Sequence, residues 1–234
     1  NLAKARGYKS VAFMLDRANA GVMGTQAQLA KTLDGQGTPT AATEYYKLGD
    51  TDFSGQLTKI VSLAPAVQYV RGYPPEATVI VKQARQLGYK GDISWETIAP
   101  TATVLKNISN AEVEGVMNAT LYSVEDYATA GDAKAAKFLA DYRAKWKSDP
   151  GEISALTHDG LQILLASMQK AGSVEPAAVA KEMTQLKLSE VPALLHRYRP
   201  YEGDKLFQNG QAFLPASVMV WKNGTWVKAE KAGS

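Results

Sequence analysis

The chain has 234 residues, 45% of them hydrophobic and 21% charged, with a net charge of +3; this is enough for one large or two small domains with real cores. Both signs of charge are interspersed without a basic run, which leaves nucleic-acid binding without support. There is no cysteine, so disulfides, thiolate nucleophiles and cysteine metal sites are excluded together.

Taken in chain order, YKSVAFML predicts a strand over 8–15 with the unbroken apolar character of a parallel sheet covered on both faces. Residues 16–21 are the turn after it, 22–33 a helix stopped by Gly35 and Gly37, and 41–46 a second strand. In FSGQLTKIV, Phe53, Leu57, Ile60 and Val61 fall four, three and one apart, which is one face of a helix. VQYV is a short strand that stops at Arg71-Gly72-Tyr73-Pro74-Pro75. Residues 76–87 form the next helix, closed by Gly88, and ISW is a strand that delivers Glu96 at its carboxyl end. A short helix over 101–107 and a strand over 114–122 continue the pattern. Strands alternating with helices predict an α/β fold, a parallel sheet sandwiched by helices with right-handed crossovers.

At Ser123 the composition changes. Residues 123–127 read as polar connecting sequence, followed by helices over 133–147, 154–170 and 176–188, the last with Pro176 at its start. Phe138, Tyr142 and Trp146, four apart, form an amphipathic stripe that is core or interface. Helices without intervening strands need a sheet to cover, and this chain supplies none for them. The tail ends in a hairpin, ASVMVW and TWV around Asn223-Gly224. Apolar runs such as LQILLASM are far shorter than the about 20 residues that span a bilayer. The chain opens at Asn1 with no charged-then-apolar leader, the mark of a processed or truncated product.

Two parallel strands joined by a helix put Tyr73 and Glu96 on one rim of the sheet, outside the strand carboxyl ends, where open α/β sheets bind ligands. Glu96 beside Trp95 suits a ligand ammonium in a partly dry cleft; its bland alternative is a loop glutamate near the next helix start. Tyr73, between Gly72 and two prolines, presents a flat face and a hydroxyl, or else packs on its own helix. Arg71 is placed to meet a ligand carboxylate bidentately. No catalytic set emerges. His158 and His196 lack metal-ligand spacing, His158 and Asp159 as chain neighbours do not face each other on a helix, and GxSxG, GxGxxG and GxxxxGK[ST] are absent. An α/β enzyme using Glu96 as general base would need a second polarising group, and a pure interaction module is the third class.

DTDFSGQLTKI, then GYPPEATVIVKQARQLGYKG, then a carboxylate at Glu96 resemble the periplasmic branched-chain amino-acid-binding protein family, solute receptors of ABC importers. The similarity runs from VAFMLDRANAG to VMVWKNGTWV, without roughly the first third of such proteins. The resemblance implies a type I periplasmic-binding fold: one complete lobe from 1–122 and 206–234, and from 123–205 the returning helices of the other lobe, whose sheet is absent. It implies hinges near Ser123 and Asp204, Glu96 on the ligand amino group and Tyr73 against the ligand. Many relatives carry a tyrosine where this chain has Ala20, so the resemblance implies a pocket that is either wider there or filled by another chain element; the wider one suits a bulkier ligand, a large apolar amino acid or an aromatic acid. It further implies a membrane permease as partner, a periplasmic location, no cofactor and no turnover. A sensory domain of the same fold is the rival within the resemblance.

Overall fold

A computed structural model describes residues 2–96, 108–121 and 124–229. The chain forms two compact units, one of Asn1–Thr120 with Ser217–Ser234 and one of Leu121–Ala216. The first unit opens with a short helix α1 (Leu2–Ala5), then alternates: β1 (Val11–Asp16), α2 (Ala20–Gly35), β2 (Thr40–Tyr46), α3 (Ser54–Leu63), β3 (Val67–Arg71), α4 (Pro74–Gln86), β4 (Asp92–Glu96), α5 (Asn110–Val113) and β5 (Met117–Leu121). The second contains α6 (Val124–Thr129), α7 (Ala133–Trp146), α8 (Glu152–Ala171) and α9 (Pro176–Thr184), 3-10 turns at Leu188–Glu190 and Glu202–Asp204, and a small ribbon of β6 (Phe207–Gln208) and β7 (Gln211–Ala212). The chain then returns through β8 (Ala216–Lys222) and β9 (Thr225–Lys228).

The sheet of the first unit has the order β2-β1-β3-β4-β5-β8-β9. β1 to β5 pair in parallel, and β8 with β9 antiparallel. Every residue of β1 is buried, and its side chains divide by parity between two layers. Ala12 and Met14 join Phe53, Leu57 and Ile60 of the α3 side and Ile80 and Ala84 of α4. Val11, Phe13 and Leu15 join Val22 and Leu33 of α2. Helices thus cover both faces, which is why the strand carries no polar alternation. Leu57 and Ile60 are wholly buried, each stabilising by about 1.5–3 kcal/mol through apolar burial. Asn223 and Gly224 both take positive φ, 52° and 83°, as the tight β8–β9 hairpin requires.

Several expectations change. Residues 124–127 are helical, not connecting sequence: Val124 and Tyr127, three apart, are buried with Ala135, Leu139, Ala155 and Leu195. α5 was not expected, and Ser109 starts it with a capping box to Glu112. α9 ends at Thr184, short of 188. The return to the first unit falls at Ser217, not near 206, because Leu206 is fully buried with Ile163, Leu186, Val191 and Leu194. The helix expected over 101–107 lies outside the described residues. The helices of the second unit do bury two clusters among themselves, yet Ile153, Leu161 and Leu165 of α8, eight and four apart, stay exposed, as does Trp146 of α7.

Candidate functional site

Four parallel strands of the first unit end along one line. Asp16 of β1 pairs with Tyr46 of β2, Leu15 with Arg71 of β3, and Arg71 with Glu96 of β4. The loops that leave these ends lead directly into α2, beginning at Ala20, and into α4 through Gly72 and Tyr73. Ala20, Arg71, Gly72, Tyr73 and Glu96 therefore share the carboxyl rim, the ligand-binding edge of open α/β sheets.

The elbow at Gly72 is built around an absent side chain. Its φ is 157°, and a Cβ there would sit 1.9 Å from Tyr46 Oη and 3.0 Å from Asp16 Cβ. Tyr46 is buried, meets Phe53 edge-on at 5.6 Å, and donates its hydroxyl to the Arg71 carbonyl at 3.1 Å. Burial, with Asp16 and Glu76 close by, raises its phenol well above the usual range, so it stays a neutral donor. Only glycine lets the backbone pass this hydroxyl.

Tyr73 occupies the residue before α4, extended at φ −91° and ψ 154°, with Pro74 and Pro75 starting the helix. Proline at the first helical positions loses no needed N–H and stiffens the approach. Tyr73 is 45% exposed and makes no side-chain cap, so its ring is not packed away. In the first turn of α4, Glu76 is buried and accepts from the Gly49 amide at 2.9 Å, tying the β2–α3 loop to this helix start. Ala20 is exposed at the first position of α2, whose Asn19 cap accepts from Val22 N at 3.1 Å.

Two predicted residues take other places. Trp95 is wholly buried in the layer it shares with Phe53, Leu57, Ile60 and Ile80; strand alternation sets it on the opposite face of β4 from Ser94, and its packing is that of a core residue. Arg71 points its guanidinium at α2: Nη1 donates to Gln26 Oε1 at 2.9 Å and to the Val22 carbonyl at 3.4 Å, and Nη2 to Thr25 Oγ1 at 2.9 Å. Glu96 is described by its backbone, across from Arg71 at the end of β4; its side chain lies outside the description. Sequence reading missed Tyr46, Thr25 and Gln26. No local signal marks them, although a tyrosine ending a strand beside a Gly-Tyr-Pro elbow is the nearest to one.

The second unit holds a buried polar network. Asp159 of α8 is fully buried and accepts from the backbone amides of Leu195 and His196 at 2.7 and 3.0 Å. Its Oδ2 lies 2.8 Å from His196 Nδ1, and its Oδ1 3.3 Å from His158 Nδ1. Burial alone would raise this carboxyl, but the bonds from His196 and Leu195 outweigh it and hold it below the usual range. Against expectation, His158 does reach its neighbour Asp159, at the outer edge of hydrogen-bond distance. The network pins Leu195 and His196 to α8 and makes a structural clamp.

An open, mostly parallel α/β sheet with an exposed aromatic elbow and a strand-ending glutamate on its carboxyl rim is the architecture of a small-molecule binding domain. The chain belongs to the periplasmic binding protein family, whose model matches residues 1–225; its members bind solutes and are not enzymes. It is 29% identical over 231 residues to a Leu/Ile/Val-binding protein of Rhizobium johnstonii, covering 95% of this chain and 57% of that one. To a leucine-, isoleucine-, valine-, threonine- and alanine-binding protein of Pseudomonas aeruginosa it is 25% identical over 183 residues, 75% of this chain and 45% of that one. A leucine-binding protein of Thermotoga maritima matches its fold with a TM-score of 0.81 at 27% identity, over 97% of this chain and 61% of that chain. The chain spans about half the length of the curated relatives it matches. No described helix is long and apolar enough to cross a membrane.

Proposed function

We propose that the protein is a periplasmic solute receptor of an ABC importer, one that binds a branched-chain or other apolar amino acid between two hinged lobes and presents it to a membrane permease. The observation that carries this reading is the shared rim, with Tyr73 exposed at its elbow and Glu96 ending the adjacent strand, in a chain similar to Leu/Ile/Val-binding proteins. In this reading Glu96 takes the ligand ammonium in a charge-assisted bond contributing about 1.5–3 kcal/mol. Tyr73 offers its ring and hydroxyl, Gly72 allows the backbone elbow, and groups outside this chain hold the ligand carboxylate. The first unit is then the second lobe of the receptor. The helices of the second unit belong to the other lobe, whose sheet covers Ile153, Leu161 and Leu165, and hinges lie near Ser123 and after Asp204.

Titration calorimetry with leucine, isoleucine and phenylalanine on the natural full-length protein tests the reading. Stoichiometric binding without turnover, weakened about tenfold or more (about 1.4 kcal/mol) by Glu96→Gln, is expected. Product formation, or affinity indifferent to Glu96→Gln, refutes it. A second reading, a receptor for aromatic or other small organic acids, is favoured by Ala20, whose methyl leaves the α2 side of the rim open. Benzoate in the same titration separates the two.

A further inference from the structure

We propose that Arg71 is a positioning residue: it does not grip the ligand but straps the first turns of α2 to the end of β3, and so sets the size of ligand that the rim admits. The strap rests on geometry; its effect on ligand size rests on the amino-acid receptor reading above.

Arg71 is held at both ends. Its carbonyl accepts from the buried Tyr46 hydroxyl of β2, while its guanidinium spans two consecutive α2 residues, Thr25 and Gln26, with bonds of 2.9 Å to each. Gln26 is buried, so its amide oxygen has little access to water and needs a donor. The Thr25 hydroxyl receives from Arg71 and donates in turn to the Gly21 carbonyl at 2.8 Å. That relay ends one residue from Ala20, the position that opens the rim. A guanidinium against the first turns of a helix gains nothing from the macrodipole, whose positive end it faces. The bonds to Val22, Thr25 and Gln26 hold it there, and their two-pronged geometry suits the planar arginine fork and not a lysine. β3 thereby fixes both Tyr73, two residues beyond Arg71, and the α2 wall. If the wall shifts, the distance between Ala20 and Tyr73 changes, and the cleft discriminates differently between short and long side chains.

The test uses the natural full-length protein with Arg71→Met, which keeps the stem and removes the donors, Arg71→Lys, and Thr25→Val. In the ligand-free state, amide hydrogen exchange over residues 22–26 should quicken by about tenfold or more in both arginine variants, while β1 and β3 keep their protection. The ratio of phenylalanine to leucine dissociation constants should shift in Arg71→Met and in the same direction in Thr25→Val, with the double variant no larger than Arg71→Met alone. Unchanged exchange in α2 overturns the strap. Equal weakening of leucine and phenylalanine by Arg71→Met, with Thr25→Val silent, overturns it also and makes Arg71 a direct carboxylate contact. Should the unmodified protein bind neither amino acid, it is the receptor reading that fails, and the exchange data still decide the strap. Should Arg71→Met not fold, Arg71→Lys and Thr25→Val carry both measurements.

Discussion

Gly72→Ala should be among the most damaging single-methyl additions in the first unit. The new Cβ would stand 1.9 Å from Tyr46 Oη and 3.0 Å from Asp16 Cβ, on a backbone at φ 157°. Tyr46 cannot simply step aside, since its ring is buried and set edge-on against Phe53. Relieving the overlap costs about 1–3 kcal/mol of overpacking. A displaced Tyr46 also loses its bond to the Arg71 carbonyl, about 0.5–1.5 kcal/mol, and the unusual backbone adds about 1–3 kcal/mol for a residue with a Cβ. Because these overlap, the expected loss is about 2–5 kcal/mol. Tyr46→Phe removes the atom nearest the clash, so the double variant should fall short of the sum of the singles by about 1–2 kcal/mol. Urea unfolding followed by tryptophan fluorescence reports on this unit, since Trp95 and Trp221 are buried in it. Gly72→Ala within about 0.5 kcal/mol of the parent, the scatter of neutral surface changes, or strict additivity with Tyr46→Phe, would refute the close-approach argument.

Three other outcomes are expected. Leu57→Ala should cost about 2–5 kcal/mol in the same unfolding assay, because Leu57 is wholly buried between the sheet and the helices on its face; a loss below about 1 kcal/mol would mean that the layer collapses around the cavity. Tyr73→Ala should leave the melting temperature of the empty protein nearly unchanged, since the ring is 45% exposed, while weakening amino-acid binding in calorimetry; a stability loss without an affinity loss would make it a packing residue. Asp159→Asn should destabilise the protein in a pH-dependent way. The folded carboxyl titrates below its unfolded value, so its stabilisation is complete above the ordinary carboxylate range and is lost as pH falls through the folded value. The gap between parent and variant should therefore be constant near neutral pH and narrow as pH falls below about 5 and on through the folded value, and a flat gap in denaturation midpoints down to strong acid would count against the clamp.

Much of the fold is legible locally. Unbroken apolar strands, helix faces at spacings of three and four, Gly88 closing α4 at φ 87° and the Asn223-Gly224 turn are consequences of backbone sterics and short-range periodicity. The rim is legible for the same reason, because parallel strands with right-handed crossovers must end on one edge, which puts Tyr73 and Glu96 there. α6 escapes that logic: six residues with few apolar positions are no helix alone, and Val124 and Tyr127 are buried in a cluster with Leu139, Ala155 and Leu195 from far along the chain.

What the chain's sequence determined by itself is the order of elements, the α/β class and the rim to which the ligand-binding candidates belong, all set by interactions among near neighbours. The tertiary structure alone decided where side chains on those elements point. A parallel strand covered on both faces carries no alternation to reveal parity, so Trp95 is in the core although it precedes the rim glutamate. Arg71 bonds to Thr25 and Gln26, more than forty residues back, and Asp159 to His196, 37 residues on. Such partners are chosen by which buried acceptors and donors packing leaves facing one another, and an unmet one is costly. That pairing is a property of the assembled unit.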